Sequence, residues 1–190
     1  LELSEPREQL KVGPYVIDAY RVNHGVICYG YTIYIPRTGK FDLERAKSQN
    51  IPMKLWNRLQ KGETIEQDGV CYTPEMVLGP ARRGLKVTYC TDTRPVPVIA
   101  EYAADSDLFI CEGMYGEQEK AAKAVEYKHM TFYEAAQIAK DAQVKEMWLT
   151  HYSPSLTRPE EFIDKVREIF PRTIAAKDGR TVELEFDDNE

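Results

Sequence analysis

Histidine is scarce in this chain, with three in 190 residues, and no two of them stand in an H-x-H spacing. A dense metal-binding string of the His-x-His-x-Asp-His kind is therefore excluded from it. Four cysteines, Cys28, Cys71, Cys90 and Cys111, lie far apart and form no C-x-x-C pair. Three of them sit in or beside apolar strand-like runs, where a free cysteine behaves as a small hydrophobe, so a reduced, cytoplasmic setting is expected. Long apolar runs are missing too. The longest uncharged one, Val26 to Ile35, is far short of the roughly 20 residues that span a bilayer, and no basic segment leads into an apolar one at the start. Membrane and secretory readings fall away. Repeats of fixed period and low-complexity stretches do not occur.

What is present is an ordinary globular composition, 43% hydrophobic and 29% charged, in a chain long enough to bury one core without disulfides or an obligatory metal. One domain, or a large part of one, is expected. The net charge of −6 hides an asymmetry, because Arg37 to Lys61 holds seven basic residues against two acidic ones. An acidic body thus carries one basic segment, a candidate for tracking phosphates; a solvated face on a helical pair is the plainer alternative.

Strands are suggested at about 14–22, 26–35, 86–91, 107–111, 144–150 and 180–186, mostly runs of β-branched and aromatic residues. Helical patterns fall between the later ones, at Arg94 to Ala104, Glu117 to Val125 and Pro159 to Phe170, so strand and helix alternate as in an α/β fold. Thr131-Phe132-Tyr133-Glu134 reads as a capping box opening another helix, with His129 in the loop before it. Gly39 to about Gly84 breaks the alternation with two short helical patterns, Asp42 to Gln49 and Lys54 to Gln60, and reads as an insertion. The expected organisation is a core of 1–38 and 85–190 with an inserted arm at 39–84.

His24, Asp92 and His151 each follow a strand pattern, and the crevice beyond strand carboxyl ends is where ligands collect in α/β sheets. Imidazole and carboxylate suit a divalent ion such as zinc, and a carboxylate can bridge two ions. For each residue taken alone, a satisfied structural histidine or a helix-capping aspartate is the competing reading.

His24-Gly25-Val26-Ile27-Cys28-Tyr29-Gly30-Tyr31, Thr91-Asp92-Thr93-Arg94-Pro95, Cys111-Glu112-Gly113-Met114-Tyr115, His129-Met130-Thr131 and Leu149-Thr150-His151-Tyr152-Ser153-Pro154 occur in this order. Together they resemble the second half of ribonuclease Z, the tRNA 3′-processing endonuclease family of the metallo-β-lactamase superfamily. The resemblance covers nearly the whole chain. It implies the C-terminal half of an αββα sandwich with an inserted basic arm, two zinc ions in the complete site, and His24, Asp92 and His151 among their ligands. It further implies that His129, aided by Glu112, delivers a proton to the leaving oxygen. Precursor tRNA becomes the expected substrate, gripped by Lys40, Arg45, Lys47, Lys54, Arg58 and Lys61 of the arm, and a homodimer the expected assembly.

The chain departs from the family pattern in several places. Cys111 stands where relatives commonly have histidine, Met130 where they have serine, and Ser155-Leu156 where an Arg-Tyr pair is common, which leaves Ser153 or Ser155 to substitute for a phosphate-binding arginine. The His-x-His-x-Asp-His string that supplies the family's remaining ligands is absent, so the isolated chain is expected to be inactive. The alternatives are a related phosphodiesterase acting on a small substrate and a non-catalytic RNA-binding or interaction fragment.

Overall fold

The computed structural model describes residues 9–187. In chain order the elements are β1 (Leu10–Val12), β2 (Tyr15–Asn23), β3 (Ile27–Arg37), α1 (Leu43–Ser48), α2 (Met53–Gln60), β4 (Ile65–Gln67), β5 (Val70–Tyr72), β6 (Arg82–Cys90), α3 (Pro97–Ala103), β7 (Leu108–Glu112), α4 (Ala121–Tyr127), α5 (Phe132–Asp141), β8 (Met147–Thr150), α6 (Ile163–Arg167) and β9 (Thr173–Ala175). They form two compact units, one made of the stretch ending at Ile35 with Leu85–Glu185, the other of Pro36–Gly84 with the residues from Phe186 onward. Among the described residues no helix is long and apolar enough to cross a membrane.

The first unit is built on a sheet of order β1-β2-β3-β6-β7-β8-β9. β1, β2 and β3 run as an antiparallel meander, whereas β6, β7, β8 and β9 are mutually parallel. Parallel neighbours need crossover connections, and α3, α4 with α5, and α6 supply them in turn. β7 and β8 are short and apolar almost throughout, the composition of strands shielded on both sides. α5 starts where the capping box places it: the Thr131 hydroxyl accepts from the Glu134 backbone N–H at 3.2 Å, and the Glu134 carboxylate accepts from the Thr131 N–H at 2.8 Å.

α3, α5 and α6 pack on one side of the sheet. Ile99, Phe132, Ala135, Ala136, Ile163 and Val166 meet Tyr20, Val22, Cys90, Phe109, Cys111, Met147 and Leu149 in one buried cluster. Because side chains alternate across a strand, the intervening residues point the other way. There Ile27, Tyr31, Ile33 and Tyr89 are exposed, and the smaller cluster around Leu108 and Trp148 draws on no described helix. Along β3 and β6 this face is thus apolar and without a covering layer among the described residues, a condition that a stable layered fold ordinarily removes by packing a second layer there.

Several sequence-based boundaries move. The segment 180–186, expected as a strand, joins no sheet; Leu184 and Arg180 instead lie against the Trp148 cluster, and the place beside β8 goes to β9, which the pattern did not reveal. The helix expected from Arg94 starts only at Pro97, because Val96 precedes a proline and is held extended at φ −135°, ψ 145°. The pattern at Pro159 to Phe170 resolves into a 3-10 turn and the short α6.

The second unit has its own core of Ala46, Ile51, Leu55, Leu59, Ile65, Val77 and Leu78. Asp42 caps α1 by accepting from the Arg45 N–H at 2.9 Å, and α2 turns Leu55 and Leu59 inward. β4 and β5 form a hairpin whose turn, Asp68-Gly69, has φ of 54° and 76°, the positive values that a tight two-residue turn requires. The expected pair of helices is present, and the hairpin is an addition.

Candidate active site

The parallel strands β6, β7 and β8 end at one edge of the sheet, and the residues at or just past their carboxyl ends carry the chemistry. Asp92 follows β6 by two residues, Glu112 closes β7, and His151 follows β8 directly. His151 turns off its strand with φ 57°, which carries the chain out of the sheet at once. His24 lies in the turn after β2, tied to the Asp92 loop by an isolated bridge between Asn23 and Arg94. His129 arrives from the helical layer, on the loop between α4 and α5.

These five side chains form one cluster. Donor atoms of His24, Asp92 and His129 all lie within 4.8 Å of one another, as do those of Glu112, His129 and His151. His151 Nε2 is 3.5 Å from an Asp92 oxygen, and the His129 ring sits 4.9 Å from that of His24 and 5.4 Å from that of His151. The three histidines of the whole sequence therefore meet at one place.

Glu112 organises the cluster from beneath. Its side chain is fully buried, accepts a short hydrogen bond from the Thr93 N–H, and receives His129 Nδ1 at 3.1 Å. A carboxylate accepts, so Nδ1 of His129 carries hydrogen and Nε2 is the atom left to exchange a proton with a ligand. Glu112 also lies 3.9 Å from His151 Nδ1, and this carboxylate raises the His151 pKa above its ordinary value, outweighing burial and joined by the charge of Asp92.

The chemistry of this donor set fits a divalent cation. His24 Nδ1 is 3.0 Å from the carbonyl of Lys128, and because a carbonyl only accepts, the neutral ring keeps its lone pair on Nε2, the arrangement found in metal-binding histidines. Imidazole with carboxylate at this spacing suits ions of borderline character. Lys128 holds its carbonyl there from a left-handed conformation, φ 57°, ψ 45°, at the end of α4. That conformation costs a non-glycine residue roughly 1–2 kcal/mol, part of which glycine would lose again through its greater unfolded-state freedom. Lys128→Gly is therefore expected to raise stability by up to about 1 kcal/mol, or a few degrees in Tm, without weakening metal binding, because the carbonyl remains. A lower Tm would mean that the contact of the Lys128 ammonium with the His24 carbonyl, at 3.3 Å, outweighs the backbone penalty.

Ser153 and Ser155, expected as substrate contacts, are hydrogen-bonded to one another at 2.9 Å beyond His151. The six basic residues of the arm are exposed, but they are not equivalent. The Arg45 guanidinium donates to the carbonyls of Glu75 and Leu78, Lys47 pairs with Glu44 at 3.5 Å, and Arg58 pairs with Glu63 at 2.7 Å. Lys40, Lys54 and Lys61 have no ion pair among the described residues. Sequence reasoning singled out neither Thr93 nor Arg94 for a role, although both stand in the Thr-Asp-Thr-Arg-Pro string.

The chain matches the family described as "Beta-lactamase superfamily domain" over residues 39–152. It is 65% identical over 188 residues to a protein named Ribonuclease Z from Lachnospira eligens, covering 99% of this chain and 62% of that protein. It is 62% identical over 190 residues to a Ribonuclease Z from Lachnoclostridium phytofermentans, covering 100% of this chain and again 62% of the relative. The resemblance read from five short motifs thus extends along the whole chain, while the chain spans about three fifths of the length of these curated relatives. Among solved structures, a metallo-beta-lactamase fold protein from Bacillus subtilis, YhfI, superposes with a TM-score of 0.56 at 20% identity, over 89% of this chain and 49% of that one. The short form of human tRNase Z gives 0.55 at 16% identity, over 93% and 45%. At such identities these two establish the fold alone.

Proposed function

This chain belongs to the beta-lactamase superfamily, and from that premise we propose that it forms the C-terminal part of a zinc-dependent endoribonuclease that removes 3′ trailers from precursor tRNA. The observation that carries the reading is the cluster of His24, Asp92, Glu112, His129 and His151 at the carboxyl edge of the parallel strands, in a chain most of whose sequence is shared with proteins named Ribonuclease Z. On the same resemblance the protein works as a homodimer in the cytoplasm.

In this reading His24, Asp92 and His151 contribute ligands to zinc. When bound, such ions lower the pKa of water and offset the charge that builds on phosphoryl oxygens during hydrolysis. The remaining work belongs to the protein. As the bond from phosphorus to the ribose 3′-oxygen breaks, that oxygen needs a proton, and Nε2 of His129 is the group able to give it. Glu112, holding Nδ1 at 3.1 Å, keeps the ring turned toward the cluster with Nε2 placed for the transfer. The products are a tRNA ending in a free 3′-hydroxyl and a trailer carrying the phosphate.

The unit around residues 39–84 binds the tRNA body through Lys40, Arg45, Lys47, Lys54, Arg58 and Lys61. The three lysines without an ion pair can release counterions on meeting phosphates, whereas Arg45 is engaged in holding its own unit together. Replacing Lys40, Lys54 and Lys61 with Gln is expected to weaken tRNA binding and to flatten the slope of log affinity against log salt by as much as roughly three, about one for each lost phosphate contact. Binding measured by titration between low and physiological salt checks this without requiring cleavage. An unchanged slope would reduce the basic run to a solvated face. In the complete enzyme the same triple variant should raise KM for precursor tRNA and leave hydrolysis of a nitrophenyl phosphodiester intact; equal loss on both substrates would mean that the arm supports the active-site fold.

A further inference from the structure

Three of the loops that carry the cluster meet at one residue with no part in the mechanism above. Arg94 stands two residues past Asp92, and its backbone N–H donates to the carbonyl of Asn23, next to His24, at 2.9 Å. Its guanidinium reaches the third loop. Nη1 donates to the carbonyl of His129 at 2.5 Å and to Oε2 of Glu134 at 3.1 Å, and Nη2 makes a short bond to Oε1 of the same carboxylate. Both partners are largely shielded, with 18% and 30% of their side-chain surface exposed.

Glu134 is itself anchored. It closes the capping box at the start of α5 by accepting from the N–H and the hydroxyl of Thr131, at 2.8 Å and 3.1 Å. Burial acts to raise its pKa, yet the bonds from Arg94 and Thr131 prevail and hold it below the ordinary carboxylate range, so it meets the guanidinium as an anion. A planar fork on a fixed carboxylate leaves Arg94 little freedom, and one of its nitrogens grips the main chain of His129.

We propose that Arg94 is a positioning residue: by clamping the His129 carbonyl and the first turn of α5 together, it fixes the His129 ring against Glu112 and toward Asp92. The assignment rests on the reading of His129 as proton donor. His129 lies between two helices, secured on one side by its N–H to the Ala124 carbonyl at 2.9 Å and at the ring by Glu112. Arg94 supplies the hold on the other side of its backbone. The effect matters because proton transfer needs heavy atoms about 3 Å apart, and a displacement on the order of 1 Å costs as much as a hundredfold. Lysine cannot replace the fork, since one ammonium cannot lie in line with both oxygens of Glu134 and the His129 carbonyl. The capping box keeps its Thr131 bonds without Arg94, so α5 should stay in place while His129 moves.

The test is a double-mutant cycle in the complete enzyme together with a ring measurement on this chain. Arg94→Met should lower turnover of precursor tRNA about 10- to 100-fold, the range typical of residues supporting a reactive group, with KM and metal content little changed. In a His129→Ala background the same substitution should change turnover less than twofold, because the group it positions is gone. An equal loss with and without His129, or no loss at all, overturns the proposal. Arg94→Lys is the variant to use if Met impairs folding; it should show an intermediate loss, and full activity would refute the need for a fork. Independently of cleavage, long-range nitrogen–proton spectra of the 190-residue chain should show the His129 ring signals displaced by Arg94→Met and those of His24 retained. Unmoved His129 signals overturn the proposal even if the wild-type enzyme cuts no tRNA, an outcome that would count against the proposed function instead.

Discussion

Incubated alone with precursor tRNA and zinc, the 190-residue chain is expected to leave the substrate uncut, and cleavage is expected to appear when a polypeptide bearing a His-x-His-x-Asp-His segment is added. The reason is a shortage of ligands. Structural and catalytic zinc sites take three or four protein donors for each ion, and this chain offers three histidines in all, one of which the proposed mechanism assigns to proton transfer. His24, Asp92 and His151 cannot enclose two ions, and one weakly held ion would not bring water near neutral pKa efficiently. The fold argues in the same direction. Ile27, Tyr31, Ile33 and Tyr89 form an exposed apolar face on the sheet that carries the site, and a second layer would cover it. Adding the complementary polypeptide should therefore lower the binding of an environment-sensitive dye to the chain and protect the β3 and β6 amides, in step with the gain of activity. Robust, chelator-resistant cleavage by the chain alone would overturn this, and so would restoration of activity with the Tyr31 and Tyr89 face left open.

The parts of this site legible in the sequence were those set by local rules. The Thr131 to Glu134 box fixes the start of α5, and hence the loop holding His129, through contacts three residues apart. The ends of β6 and β8 follow from strand-like runs, which marks Asp92 and His151, whereas Glu112 at the end of β7 is marked only by the family resemblance. Pairing partners were less accessible. The alternation in 180–186 satisfies the strand pattern as well as β9 does, and only the edge of the finished sheet decides between them. The Asp68-Gly69 hairpin has a readable turn signal, but it lies in a polar insertion whose clearest patterns are the two short helices. β3 carried a further message: Val26 to Ile35 is apolar on both faces, the mark of a strand covered on both sides. The role of Arg94 had no local signature, because the carbonyl and carboxylate it joins lie 35 and 40 residues away.

In the complete enzyme, His129→Ala is expected to reduce precursor tRNA cleavage by about 10²- to 10⁴-fold while zinc content holds steady, the range that loss of a general acid produces. The geometry allows the opposite assignment to be tested by the same variant, since a His129 donor atom lies within 4.8 Å of those of His24 and Asp92. Two features favour proton transfer. Nδ1 faces a buried carboxylate, so the ring is oriented, and only 12% of its side-chain surface is open, which shields a proton in transit from bulk water. Glu112→Gln provides the companion measurement. It keeps an oxygen for His129 Nδ1 but removes the negative charge, so it should cost part of the same factor, and should add little in a His129→Ala background. The leaving group supplies the sharpest discrimination. A nitrophenolate departs without needing a proton, so His129→Ala should slow a nitrophenyl phosphodiester far less than it slows tRNA, whose ribose oxygen leaves poorly as an anion. Loss of a full equivalent of zinc from His129→Ala, with both substrates falling together, would make His129 a metal ligand and leave the proton donor to be found elsewhere.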